Sequence, residues 1–144
     1  MGRDFSLAIL ISGRGSNLQA LIDSCARADF PARIAVVISN RPGAAGLDRA
    51  KQAGIPVETV DHRLFSGRED FESALDATLR RYPVDLVCLA GFMRILTAGF
   101  VEKWPDRIIN IHPSLLPDYK GLDTHARALA DGRDKAGCTI HFVR

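Results

Sequence analysis

Asn110-Ile111-His112-Pro113 joins residue types that can do chemistry at a spacing that lets them act together. Residues i and i+2 of a strand point to one face, so a strand ending here sets the Asn110 amide beside the His112 imidazole. Histidine has an unperturbed pKa of about 6.5, close to working pH, and can move a proton. An Asn side-chain N–H can stabilise oxygen charge in a tetrahedral intermediate. A lone histidine is more often structural. Here it ends a strand, and Pro113 and Pro117 fix the loop that follows, as a positioned catalytic group would require.

The remaining histidines, His62, His125 and His141, have neither HExxH nor other metal-ligand spacing, so no metal site is expected. His62, beside Asp61, reads as a surface-loop residue, and His141, on the last strand, as a hydrogen-bonded structural one. No Ser or Cys occupies a nucleophile elbow, which argues against covalent catalysis. Cys25, Cys88 and Cys138 are odd in number and far apart, which points to reduced thiols, with Cys88 filling core.

Two other segments could bind ligands. Ser12-Gly13-Arg14-Gly15-Ser16-Asn17 lies between an apolar run and an amphipathic stretch, where small residues let backbone N–H groups approach a phosphate. It is neither GxGxxG nor a P-loop with its Lys, which argues against a nucleotide cofactor and against an ATPase. Ser16 with Gln19 also forms a capping box, so an ordinary strand-to-helix turn explains the loop equally well. Gly91-Phe92-Met93-Arg94-Ile95-Leu96 is unusually apolar for a loop. It suits either a pocket for a flat ring system or core packing at a strand end.

These segments need a frame. Leu7 to Ile11, Ile34 to Ile38, Val57 to Val60, Val84 to Leu89 and Ile108 to Ile111 read as strands, with a last one from Cys138 to Val143. Between them, Leu18, Leu21, Ile22 and Cys25 mark one helix face, and Pro42 introduces a second helix that Gly54 and Pro56 end. Ser66 with Glu69 caps a third, whose apolar face is Phe71, Leu75, Leu79 and Tyr82, with Arg80 and Arg81 at its negative end. Short helices are expected from Ala98 to Trp104, stopped by Pro105, and from Thr124 to Ala130. Apolar strands alternating with helices predict an α/β, Rossmann-like doubly wound, mostly parallel sheet with helices on both faces. Ligands then bind at the carboxyl ends of the strands near the reversal of strand order, so the loops after strands one, four and five should converge.

The composition permits this. The chain has 144 residues, 47% hydrophobic and 25% charged, with a net charge of +2, the mixture of one compact domain. Without a stripe of Lys or Arg, no nucleic-acid partner is expected and a small-molecule partner is. The apolar run after Met1-Gly2-Arg3-Asp4 is too short for a signal peptide or membrane span, so a cytoplasmic location without membrane attachment is expected.

In order and spacing, Ser12 to Asn17, Gly91 to Leu96, Asn110 to Pro117 and Gly121-Leu122-Asp123-Thr124-His125 closely resemble the folate-dependent phosphoribosylglycinamide formyltransferases, over essentially the whole chain. The Asn-x-His-Pro-Ser-Leu-Leu-Pro pattern alone is shared with methionyl-tRNA formyltransferase and formyltetrahydrofolate hydrolase; the first loop narrows the choice. The resemblance implies formyl transfer from 10-formyltetrahydrofolate, a cosubstrate, to the amine of phosphoribosylglycinamide in purine biosynthesis, without a metal. It implies catalytic roles for His112 and Asn110, a grip on the substrate phosphate by Gly15, Ser16 and Asn17, and folate contacts from Arg68, Met93, Arg94, Ile95, Leu96 and Asn110. Read from its position alone, Arg68 is equally a solvated residue at a helix start.

The family carries an Asp just past the last strand that orients the catalytic His, whereas this sequence ends at Arg144. A single domain over 1–144 lacking the family's C-terminal part is therefore the expectation. Asp123 stands where many relatives have His, and His125 matches them. The expected assembly is a monomer or homodimer. Two alternatives stand beside the leading reading: another enzyme that uses the same formyl donor, and a folate- and phosphate-binding fragment that does not catalyse.

Overall fold

A computed structural model describes residues 5–27, 32–94, 96–110 and 141–142. The elements run β1 (Phe5–Ile11), α1 (Ser16–Cys25), β2 (Ala32–Ser39), α2 (Ala45–Gln52), β3 (Val57–Thr59), α3 (Arg68–Leu79), β4 (Leu86–Leu89), α4 (Ala98–Glu102), β5 (Ile108–Asn110) and β6 (His141–Phe142). The sheet order is β3-β2-β1-β4-β5-β6. Pairing is parallel from β3 to β5, and β6 runs antiparallel to β5. The expected α/β doubly wound sheet is the one observed. His112, His125, Ile95 and the expected helix from Thr124 to Ala130 lie outside the described residues.

Alternation along the strands explains why helices cover both faces. Successive side chains point to opposite sides. Leu7, Ile9 and Ile11 therefore join Leu18, Leu21 and Ile22 of α1 and Leu47 and Ala50 of α2 in one core. Ala8 and Leu10 meet Phe71, Leu75 and Leu79 of α3 and Phe100 and Val101 of α4 in the other. Complete burial of a Leu or Ile is worth roughly 1.5–3 kcal/mol, so the two cores fix which way each strand faces. Cys88 is fully buried within the first of them and is a free cysteine, and Cys25 is buried in the same core. Burial pushes the Cys88 thiol above its ordinary range, as a core-filling residue requires.

Three local readings are corrected. The N-cap of α1 is Gly15, at φ 79°, rather than Ser16, because the left-handed glycine completes the turn and starts the helix one residue earlier. The N-cap of α3 is Gly67, without a side-chain cap, and the Ser66 hydroxyl donates instead to Asp70 Oδ2 at 2.8 Å. Finally, α2 starts at Ala45 and not at Pro42. Ser39 Oγ both accepts from Arg41 N–H at 2.9 Å and donates to the Arg41 carbonyl at 2.8 Å, which holds the chain in a turn before the helix can begin.

Candidate active site

Strand order reverses between β1 and β4, which lie side by side although far apart in sequence. The loops that leave their carboxyl ends are tied together by one hydrogen bond, from Met93 N–H to Ser12 Oγ at 2.8 Å. Ser12 in turn donates to Asn40 Oδ1 at 2.5 Å, and Asn40 Nδ2 lies 3.1 Å from His62 Nδ1. Ser12 and Asn40 are almost wholly buried. Four loops, those after β1, β2, β3 and β4, thus share one chain of polar contacts. His62 is consequently half-buried and anchored, which corrects its reading as a surface-loop residue. Ser12→Ala leaves the Met93 amide and the buried Asn40 carboxamide oxygen without their partner, at about 1–3 kcal/mol for the buried group. The expected result is a matching stability loss in urea unfolding and faster hydrogen exchange at the Met93 amide. Unchanged exchange there would show that the bond does not hold the loop.

The glycine-rich loop is built by close approach. The Gly13 carbonyl accepts from Gly46 N–H at 3.0 Å, and the Arg14 carbonyl accepts from Arg49 Nε at 2.8 Å, so α2 braces the loop. A Cβ on Gly15 would stand 2.6 Å from Gly46 Cα, and one on Gly46 would stand 2.5 Å from Ile11 Cδ1. Position 15 therefore needs glycine, and a side chain at Gly46 would also press on Gly15 Cα at 3.1 Å and the Gly13 carbonyl at 3.2 Å, a tight fit that the sequence reading missed. Gly13, Arg14, Gly15 and Asn17 line a small pocket of about 130 Å³ with Ala90 and Gly91 of the β4 loop. This pocket lies at the start of α1, where unbonded first-turn amides and the helix dipole favour an anion.

The apolar β4 loop divides between the two roles open to it. Phe92 and Leu96 pack against the second core, whereas Met93 is 75% exposed. Arg94 is half-buried. The far end of the loop is held by Glu72, a buried carboxylate that accepts from Thr97 N–H at 2.7 Å and from the Thr97 hydroxyl. Thr97 then caps α4 by accepting from Phe100 N–H. Glu72 also escaped the sequence reading, although a charge at 72 beside apolar residues at 71, 75 and 79 on a helix is a signal that could have found it.

Asn110 ends β5 at the same carboxyl edge, half-buried, in register with Leu89, the residue that leads into the β4 loop. The structure thus sets Gly15 and Asn17 against Ala90 and Gly91 of the β4 loop, ties Met93 to Ser12 and ends the neighbouring strand at Asn110, whereas Leu96 packs into the second core. Arg68 stands apart from these contacts, exposed at the first position of α3. Nothing is described for the Ser16 side chain.

The turn that carries His62 is fixed by charge. Asp61 accepts from Arg63 N–H at 3.0 Å and takes the guanidinium in a fork, Nε to Oδ1 at 3.0 Å and Nη2 to Oδ2 at 2.9 Å. That pairing holds the Asp61 carboxyl at about 2, below its usual 3.8. Because the folded value is depressed, the stabilisation is complete above the unfolded value and is lost as pH falls from about 4 towards about 2. Asp61→Asn should therefore flatten the acid limb of a Tm-versus-pH curve across that window. An identical acid limb in the variant would show that the fork contributes nothing measurable.

Among the described residues no cluster of three His, Cys, Asp or Glu side chains could hold a metal ion, and no helix is long and apolar enough to cross a membrane. Residues 5–144 match the formyl transferase family model. The chain belongs to the formyl transferase family. It is 53% identical over 137 residues to the human trifunctional purine biosynthetic protein adenosine-3, covering 95% of this chain and 14% of that protein. It is 46% identical over 138 residues to Escherichia coli phosphoribosylglycinamide formyltransferase, covering 96% of this chain and 65% of that enzyme. Among solved structures, the phosphoribosylglycinamide formyltransferase from Brucella melitensis superposes with a TM-score of 0.76 at 44% identity, over 96% of this chain and 72% of that one. The chain thus spans somewhat less than two thirds of the bacterial relative's length and a small part of the trifunctional protein. Within this formyl transferase fold, the pocket between the β1 and β4 loops and the Asn110 amide occupy the strand edge where α/β sheets bind ligands.

Proposed function

We propose that the protein transfers the formyl group of 10-formyltetrahydrofolate to the amine of 5-phosphoribosylglycinamide, in the cytoplasm, as a step of purine biosynthesis. The observation that carries this reading is the Ser12–Met93 bond, which seats the loop proposed for the substrate phosphate against the loop proposed for the folate. The naming of the bacterial relatives supports the choice of substrates. Gly15, Ser16 and Asn17 would hold the ribose phosphate at the start of α1. Met93, Arg94, Ile95 and Leu96 would line the folate ring, with Met93 exposed to meet it and Leu96 packed against the core, and Arg68 would face the acidic end of the folate.

In the proposed reaction the amine nitrogen attacks the formyl carbon, and a C–N bond forms as the carbonyl oxygen gains charge. The Asn110 N–H and His112 stabilise that oxygen. The intermediate collapses as the folate nitrogen leaves with the electron pair of its bond to the formyl carbon. His112 moves to that nitrogen the proton that the amine gives up, so that charge and protons balance. The formyl donor is already activated, so positioning, electrostatics and proton transfer suffice without a metal.

The test is to offer the protein 10-formyltetrahydrofolate with three acceptors in turn: phosphoribosylglycinamide, initiator methionyl-tRNA and water. Consumption of the formyl donor with the first alone is the expected result. Formylation of tRNA alone, or release of formate alone, would replace the proposal with the corresponding enzyme. Binding of both ligands without turnover would leave a binding module.

A further inference from the structure

On the other flank of β1 from the small Gly15–Gly91 pocket lies a second and larger concavity of about 600 Å³, formed by the loops after β1, β2 and β3. The chemistry proposed above makes no use of it. Its walls carry Arg14, Arg41, His62 and Arg63 and no carboxylate side chain. Arg63 is engaged by Asp61. Arg14 and Arg41 have no acidic partner among the described residues, so their charge faces the groove uncompensated.

His62 is held in place rather than loose. Its Nδ1 lies 3.1 Å from Asn40 Nδ2 and 3.2 Å from the Asn40 carbonyl oxygen, which leaves Nε2 as the ring nitrogen free to meet a ligand. Asn40 is itself fixed by Ser12, so the imidazole is preorganised by two buried side chains. The groove also takes in Ala45, the first residue of α2, at the positive end of that helix, although the next two amides of the turn are donated to the Gly13 and Ala44 carbonyls. The one acid of that turn, Asp48, is outside the lining. Forked guanidinium groups and an anchored imidazole in one concavity are the equipment that recognises oxyanions. The volume suits a small molecule rather than a single phosphate ion.

We propose that this groove, which shares only Gly13 and Arg14 with the small pocket across the β1 loop, is a second binding site for a small molecule that carries two or more oxyanion groups. Phosphates and carboxylates share the chemistry it recognises, and the test separates them.

The protein is titrated with pyrophosphate and, separately, with citrate at physiological salt by calorimetry, as the unaltered chain and as the Arg41→Glu and Asn17→Ala variants. Arg41 is exposed and its side chain holds no element together, so the charge reversal leaves the fold intact. The expected result is saturable binding of at least one probe, weakened roughly 10-fold or more by Arg41→Glu, the scale of a lost charge-assisted contact. Asn17→Ala, at an α1 residue that lines the small pocket and not this groove, should leave that binding unchanged. Preference for pyrophosphate would identify a phosphorylated ligand, and preference for citrate a polycarboxylate. Absence of saturable binding to both probes, or binding that Arg41→Glu does not weaken, would overturn the proposal.

Discussion

His112→Ala is expected to lower kcat for formyl transfer by about 10²- to 10⁴-fold, the range for a positioned proton-transfer group. The reason lies in the proton balance of the proposed reaction. The attacking amine must shed a proton and the departing folate nitrogen must gain one, and a barrier with no group to carry it rises in proportion. Asn110→Ala is the companion variant. It removes one donor aimed at the developing oxygen charge, a change that costs on the order of 10²- to 10³-fold. Because both groups act on one intermediate, the double variant should fall well short of the product of the two single losses. Asn110 ends β5 half-buried, and its backbone pairing to β4 and β6 is independent of the side chain, so Tm should change little. Steady-state kinetics beside thermal unfolding decides the matter. A large Tm loss with near-normal kcat would make either residue structural and sink the mechanism.

Gly15→Ala should do more damage than its single added methyl suggests. At φ 79° the residue is left-handed, which costs an L-residue with a Cβ roughly 1–2 kcal/mol. The new Cβ would also meet Gly46 Cα at 2.6 Å. That neighbour is backbone of α2, braced by its own hydrogen bond to Gly13, so it cannot swing aside as a flexible side chain would. Overpacking of this kind adds typically about 1–3 kcal/mol, and the sum is a substantial part of the stability of one domain. Any structure that survives must move the loop off α2 and so displace the amides proposed to hold the substrate phosphate. The expected outcome is a marked fall in Tm together with a KM for phosphoribosylglycinamide raised by at least about 10-fold, while the KM for the formyl donor changes less. If Tm and both KM values stay at those of the unaltered protein, the close approach of Gly15 to Gly46 does not govern the loop.

Glu72 and Gly46 show how part of the site was open to reading and part was not. Both sit on helices that the sequence marks, α3 by its apolar face and α2 by the Pro42 and Gly54 that bracket it. A carboxylate on the buried face of α3 and a glycine inside α2 each break a local rule, and such breaks mark positions where something distant must be met. The break is visible along the chain; its partner is not. Thr97 for Glu72, and Gly15 for Gly46, are set by which strands lie side by side.

The sequence by itself determined the alternation of strands and helices, the two-faced burial of the sheet, and the placing of Ser12–Asn17, Gly91–Leu96 and Asn110 at strand ends. Those features follow from periodicity and from residues a few positions apart, where the physics is local. The N-caps Gly15 and Gly67 and the start of α2 at Ala45 were missed by one to three residues, because a left-handed glycine, a hydroxyl-to-carboxylate bond and a serine turn outweighed the capping pattern. Only the tertiary structure decided that His62 belongs to a buried chain of contacts through Asn40 and Ser12 to Met93. It alone decided that the glycine-rich loop is shaped by α2, and that Arg14 and Arg41 share a concavity. Each of these depends on the order of strands in the sheet, which brings together groups that no local propensity relates. The Asn110 to Pro113 motif named a chemistry, and the β1–β4 crossover point gave that chemistry its surroundings.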